Sequence, residues 1–516
     1  MAKGVFISLY DESAYGIRLL SSCLKEAGHQ RHIIFLKGYN VGVPTKKVRL
    51  YDDEVAWEGI SPLGEPMVYA VCKDITPEEK EILTGLIGEL SPDFIGMTVN
   101  TPLKWRINAV SAVIKKKYPD IPLIWGGFEA TINPEESLNY CDFACRGESE
   151  RTIVEIANTL DEGGSLERIK NICYKKNGRV KCNELNVPLK DLDQLPFQDC
   201  EGEGNYFIED NNLRVSPRFL FPSDKVYSTI TGRGCIFKCA YCCELYLKEL
   251  YKPHAFLRRR SPKNVIAELS EVKKNNDIDY VIFQDEVFSH DMNWLGAFLP
   301  LYKREIGLPF TAYIFPTKNI GERISLLKDG GLSSTCLAVQ SGSPDICELY
   351  NRFFNKELFL ETASIIRSEG LSFYTDVITY NPLEKKDDLE RTLEVLLELP
   401  QPYDVCINKL YTLPGTELHK KLPLFDISGE KEKMFRYYSA LFLLASYFRC
   451  ARYLIRIIKA CGIFEKHPAF LRPLLCLNHF MGRTRLSFYK FLKIKRSGRL
   501  NASFILHFIR KRLQAR

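Results

Sequence analysis

Two α/β domains in series, closed by a helical tail, are the fold class this sequence predicts, and three observations carry it. Apolar strand-like runs alternate with helically spaced segments over residues 1–165, and again over 225–422. Between them, residues 166–224 are turn-rich and follow no such rhythm. Positive charge gathers at the end: residues 421–516 hold 21 Lys/Arg and 4 Asp/Glu, a net +17 in a chain whose total is +7. The 516 residues suit several domains of roughly 100–200 residues each. A hydrophobic content of 45% excludes a disordered chain.

The first domain begins with a strand at 5–9 and a helix at 17–27 that Gly28 stops, followed by a strand at 32–36. Residues 41–80 interrupt the rhythm as an inserted hairpin or loop. It resumes with a helix at 77–90, strands at 94–99, 122–125 and 143–145, and helices at 107–117 and 149–160. Alternation of this kind predicts a doubly wound, Rossmann-like parallel sheet over 1–165. Its ligand edge would comprise the loops at 10–16, 100–105, 126–134 and 146–150. There Gly126-Gly127 permits close backbone approach, and Asn133 before Pro134 reads as a helix cap. The same pattern also suits a sheet with no ligand.

In 166–224, Asn177-Gly178 between two short apolar runs marks a hairpin, and 189–221 reads as linker. Six strands follow at 226–231, 280–284, 310–315, 335–340, 372–379 and 404–410. With helices between them they predict a partial (β/α)6 TIM-type barrel over 225–422, with its chemistry at the C-terminal strand ends. Residues 423–516 form the basic helical C-terminal region.

The most informative stretch is Thr231-Gly232-Arg233-Gly234-Cys235-Ile236-Phe237-Lys238-Cys239-Ala240-Tyr241-Cys242, just after the first of these strands. Its Cys-x3-Cys-x2-Cys spacing lets three thiolates converge on one face of an iron–sulfur cube, whose full ligation would take four. No fourth cysteine is suitably placed, since the neighbouring Cys243 should point elsewhere, so one iron is left open. Zinc would need four tetrahedral ligands, and His254 is poorly spaced for that. Three cysteines by chance on a buried loop is the bland alternative.

This stretch resembles the cluster motif of the radical SAM superfamily, with Tyr241 as the aromatic before the last cysteine. The resemblance implies a 4Fe-4S cluster on Cys235, Cys239 and Cys242, with S-adenosylmethionine (SAM) on the open iron. Reductive cleavage there would give a 5′-deoxyadenosyl radical. It also implies a low-potential electron donor of flavodoxin or ferredoxin type. Asp285 or Glu286, at the end of the second strand, would meet the methionine amino group. Gln340 and Ser341 resemble the family's Glu-Ser-Gly segment, with an uncharged amide in place of the acid. Thr379 to Glu384 lacks the glycines of the family's adenine turn, whereas Pro414-Gly415-Thr416 resembles its Pro-Gly-Thr segment.

The order of pieces in the first domain is Gly126-Gly127-Phe128-Glu129-Ala130-Thr131, then Pro134-Glu135-Glu136, then Arg146-Gly147-Glu148-Ser149-Glu150. It resembles the cobalamin-binding domain that precedes many radical SAM modules. The Asp-x-His-x-x-Gly motif that supplies a cobalt ligand elsewhere is absent, as is usual in the radical SAM branch. Together the resemblances imply a cobalamin-dependent radical SAM enzyme acting on a small molecule or natural product. C-methylation of an unactivated carbon is the expected reaction. The alternatives are radical cyclisation, ring contraction or oxidative rearrangement, or a non-catalytic iron–sulfur binding protein.

Seventeen cysteines with no secretory signal point to a reducing cytoplasm, with thiols as ligands or buried groups rather than disulfides. The basic tail, with Lys493-Ile494-Lys495-Arg496 and Arg510-Lys511-Arg512, admits peripheral contact with an anionic membrane. Nucleic acid is the less favoured partner. A helical cap over the barrel is the plainer reading, since it explains the many aromatics.

Overall fold

A computed structural model describes residues 1–11, 13–37, 74–101, 104–215, 225–423, 425–446, 451–467 and 471, with the backbone alone of 55–60 and 66–71. The first apolar run forms β1 (Lys3–Leu9), buried along Val5, Phe6 and Ile7 because helices cover both faces of the sheet. β2 (Gln30–Leu36) pairs parallel with it on one side. The insertion carries a hairpin, β3 (Val55–Ile60) with β4 (Pro66–Val71). The chain then crosses to the other side of β1 with β5 (Phe94–Thr98), followed by β6 (Leu123–Gly126) and β7 (Phe143–Cys145). The switch point therefore lies between β1 and β5, where such sheets open a crevice beyond their strand ends. Helix Pro77–Leu90 has the bounds expected, fixed by a capping box of Thr76 and Glu79.

The residues between the two α/β series do more than link them. β8 (Ile172–Lys176) and β9 (Arg179–Cys182) make the expected hairpin and extend the sheet from β7. β10 (Asn205–Glu209) pairs parallel with β2, and β11 (Asn212–Val215) closes that edge. The linker reading is thus corrected for these two strands. They are short, and β11 is exposed throughout, so no apolar run announced them. Cys173 and Cys182 face each other across the hairpin as a disulfide, against the expectation of free thiols, because the register sets them directly opposite.

The second sheet is parallel throughout. In order it comprises β12 (Val226–Thr229), then β15 (Tyr280–Phe283), β16 (Phe310–Tyr313), β17 (Leu332–Cys336), β18 (Ser372–Thr379) and β19 (Asp404–Lys409). Between β12 and β15 the chain forms a small ribbon of β13 (Gly232–Arg233) and β14 (Arg258–Arg259). β12 and β19 are edges, so the barrel is open. Helices such as Pro262–Asn275 and Met292–Glu305 cover one face, where Val281, Phe283, Phe310, Phe373, Val377 and Val405 are buried. The alternate positions, among them Glu286, Tyr313, Asp376 and Asn408, keep partial exposure on the opposite, concave face. The fourth strand starts earlier than expected: Gly331, with φ 116°, ends the preceding helix and launches it at Leu332. Gln340 lies beyond it, at φ 59°, in an isolated bridge to Val377.

In the tail, helix Gly429–Ala445 packs on the barrel, burying Phe435, Tyr438, Leu441 and Phe442, with Phe435 stacked on Tyr380 at 4.9 Å. This helix therefore packs against helix Lys386–Glu398 and the edge strand β19. The basic runs at 493–496 and 510–512 lie outside the described residues. Among the described residues no helix is long and apolar enough to cross a membrane.

Candidate functional site

A cavity of about 400 Å³ lies between the two sheets at their C-terminal ends. Its N-terminal walls include Tyr15, Gly126, Gly127 and Thr131, with an apolar recess of Leu19, Ile124 and Ile153. Its other wall is built from Gly232, Arg233, Gly234, Glu244, Gln284 and Glu286 of the barrel half. The doubly wound edge and the start of the cysteine loop thus share one space.

The loop is held at several backbone points. Gly234, at φ 92°, lies so close to β14 that a Cβ there would sit 2.6 Å from the Phe256 carbonyl oxygen, so only glycine fits. Ala240 N–H donates to Tyr350 O at 2.8 Å, and Leu418 N–H donates to Ala240 O at 2.8 Å. Tyr241 packs edge-on against Tyr350, with ring centroids 5.2 Å apart. Cys239 is buried, while Cys235 and Cys242 are partly open. Burial pushes the Cys235 thiol up to about 12. The neighbouring Cys243 thiol lowers the pKa of Cys242, against the opposing effect of burial. Arg352 brings Nη1 to 3.9 Å from Cys239 Sγ and anchors Nη2 on Ala338 O at 3.1 Å, setting a cation beside the thiols.

Among the described residues no three His, Cys, Asp or Glu side chains converge on a single ion. Thiols spread along one loop suit the separate corners of an iron–sulfur cube.

The two acidic candidates separate. Asp285 is buried, and its carboxylate accepts from Thr231 N–H at 2.9 and 3.0 Å and from Thr231 Oγ1 at 2.5 Å. It ties the end of the second strand to the root of the cysteine loop. Glu286 opens onto the cavity and has no hydrogen bond or ion pair among the described residues. Burial, and then the Asp285 charge, raise its pKa, so it gains from a bound cation. Glu244, in the first turn of the helix after Cys242, faces the same space, and its Oε2 has no partner. The sequence reading passed over it because a glutamate early in a helix is commonplace.

Gln340 keeps a buried Oε1 without a partner, an acceptor open to a ligand donor. Ser341 is turned inward: its Oγ accepts from Ser343 N–H at 3.2 Å and lies 3.4 Å from Thr392 Oγ1. At the opposite wall Gly126 ends β6 with open space where a Cβ would project, a cradle a side chain would fill. Gly127, at φ 88°, caps the following helix, and a Cβ there would sit 3.0 Å from Thr98 Oγ1. Asn133 stands at the N-cap position before Pro134, as expected, but its side chain makes no cap hydrogen bond. Its amide is drawn to Glu136 at 2.5 Å and Glu129 at 3.4 Å, inside an ion cluster with Lys104.

Comparison with known proteins finds matches to two separate stretches of the chain. Residues 229–396 match the radical SAM superfamily, and residues 67–157 match the B12 binding domain. An uncharacterized methyltransferase of Pyrococcus horikoshii is 24% identical over 388 residues, covering 70% of this chain and 78% of that one. The anaerobic magnesium-protoporphyrin IX monomethyl ester cyclase of Rubrivivax gelatinosus is 23% identical, over 60% of this chain and 55% of its own length. Among solved structures, the radical S-adenosylmethionine methyltransferase TsrM of Kitasatospora setae, with cobalamin and a [4Fe-4S] cluster bound, shares the fold. Its TM-score is 0.57 at 14% identity, covering 82% of this chain and 75% of that one. The cobalamin-dependent radical enzyme OxsB gives 0.56 at 18% identity, over 78% of this chain and 53% of its own.

Proposed function

The chain belongs to the radical SAM enzymes that carry a B12-binding domain, and from that membership we propose that it methylates an unactivated carbon of a small-molecule substrate. The observation that carries the proposal is the single cavity onto which both the Gly126-Gly127 edge and the root of the cysteine loop open. When bound, the 4Fe-4S cluster with SAM supplies a 5′-deoxyadenosyl radical, and cobalamin supplies the methyl group.

The chain's own residues bind, orient and exclude water. Cys235, Cys239 and Cys242 hold the cluster, and Arg352 offsets thiolate charge at Cys239. Glu286 receives the amino group of SAM, while Asp285 positions Thr231 and with it the loop. Gln340 offers its free oxygen to a ribose hydroxyl. Tyr241 and Ser341 keep that wall packed. Gly126 and Gly127 let the corrin approach the strand ends. A soluble low-potential donor of flavodoxin or ferredoxin type reduces the cluster.

The relative named a cyclase supports a second reading, radical cyclisation without methyl transfer. Product analysis with the reconstituted enzyme and a candidate substrate separates the two. S-Adenosylhomocysteine together with 5′-deoxyadenosine is the expected result; 5′-deoxyadenosine alone would refute methylation. Helix Ala451–Cys461 exposes Tyr453 and Ile457 beside Arg452 and Arg456, which supports peripheral contact with an anionic bilayer. Co-sedimentation with phosphatidylserine vesicles, lost in Tyr453→Ser/Ile457→Ser, is expected; recovery of the wild type in the supernatant would exclude it.

A further inference from the structure

The loop at residues 147–150, on the N-terminal side of the cavity, and the root of the cysteine loop are joined by partly buried ion pairs. Arg233 lies on β13, two residues before Cys235. Its Nη1 is 3.2 Å from Glu148 Oε2, and its Nη2 binds Glu150. Arg258, opposite Arg233 on β14, grips the same Glu148 with Nη1 at 2.9 Å and with Nη2, and donates to Leu189 O at 2.8 Å. Tyr251 Oη accepts from Glu148 N–H at 2.6 Å. It lies so close to Gly147 that a Cβ there would be 2.0 Å away. Two guanidinium groups meet two carboxylates, none more than 19% exposed. Glu148, Glu150, Arg233 and Tyr251 also line the cavity.

We propose that Arg233 is a positioning residue that couples ligand occupancy of the N-terminal domain to the cysteine loop. The inference rests on the family reading above. A corrin seated against residues 147–150 bears on Glu148 and Glu150. Those carboxylates hold Arg233, and Arg233 fixes the strand that leads directly into Cys235. Buried ion pairs lose much when one partner is removed, so the clamp has one favoured arrangement and passes a change at one end to the other. The coupling is reciprocal: hydroxocobalamin tightens SAM binding by the factor by which SAM tightens hydroxocobalamin.

The test uses the full chain loaded with its cluster. Binding of radiolabelled SAM is measured by equilibrium dialysis with and without saturating hydroxocobalamin. In the wild type hydroxocobalamin is expected to tighten SAM about fivefold or more. In Arg233→Gln the factor falls toward one, and Arg233→Lys, which keeps the charge, regains part of it. Should Arg233→Gln not fold, Tyr251→Phe, which removes one hydroxyl and no charge, is expected to lose the same coupling. Coupling absent from the wild type, or fully retained in Arg233→Gln or Tyr251→Phe, overturns the clamp and leaves the family reading standing. A wild type that takes up neither cluster nor hydroxocobalamin overturns both.

Discussion

A variant with Cys235, Cys239 and Cys242 all replaced by alanine is expected to bind no 4Fe-4S cluster and to form no 5′-deoxyadenosine from SAM. The loop should survive the change. Its backbone is fixed by the β13–β14 ribbon, by Ala240 N–H on Tyr350 O, and by Asn351 Nδ2 donating to Lys238 O at 2.8 Å. None of those bonds involves a thiol. Removing three sulfur atoms therefore removes the metal ligands while the apo fold melts near the wild-type apo temperature. Iron content after anaerobic reconstitution is the measurement. Iron at the wild-type level would mean that other side chains hold it, and the assignment of the loop would fall.

Gly126→Leu is expected to weaken hydroxocobalamin binding by about 100-fold or more, equivalent to roughly 2.7 kcal/mol, while leaving iron content unchanged. Gly126 lies at the end of β6, and a Cβ there would meet nothing within 4 Å, so a side chain can start from this position without displacing the backbone. Its volume would instead enter the cavity between the two halves. The neighbouring Gly127 makes an instructive contrast. There φ is 88° and a Cβ would sit 3.1 Å from the Val99 carbonyl oxygen, so substitution strains the backbone and confounds binding with folding. Spectral titration of each variant with hydroxocobalamin gives the answer. Wild-type affinity in Gly126→Leu would place the corrin elsewhere.

How much of this was legible in the sequence depends on the range of each interaction. The cysteine loop was readable because its ligands lie within eight residues and their spacing is the signal. Helix Pro77–Leu90 was readable because Thr76, Pro77 and Glu79 mark its start locally. The strands β10 and β11 were not, because Asn205–Glu209 gains its stability by pairing with β2, far away in sequence. Asn133 holds the N-cap position that its sequence marks, but without a side-chain cap bond, for a related reason: Lys104, from another element, gathers Glu129 and Glu136, and these draw the amide away. Sequence also could not choose between Asp285 and Glu286. Only the fold shows that both line the cavity but one carboxylate is committed to Thr231 while the other accepts no hydrogen bond among the described residues. The Arg233 clamp was invisible, since Glu148 and Glu150 lie more than eighty residues away in the chain.

Three thiols would leave one iron of the proposed cluster open to SAM, and electron paramagnetic resonance of the dithionite-reduced, reconstituted protein tests this most directly. A reduced 4Fe-4S signal whose g-values shift when SAM is added is the predicted result. A signal that SAM leaves unchanged at saturating concentration would mean a cluster with no open site, and would contradict it.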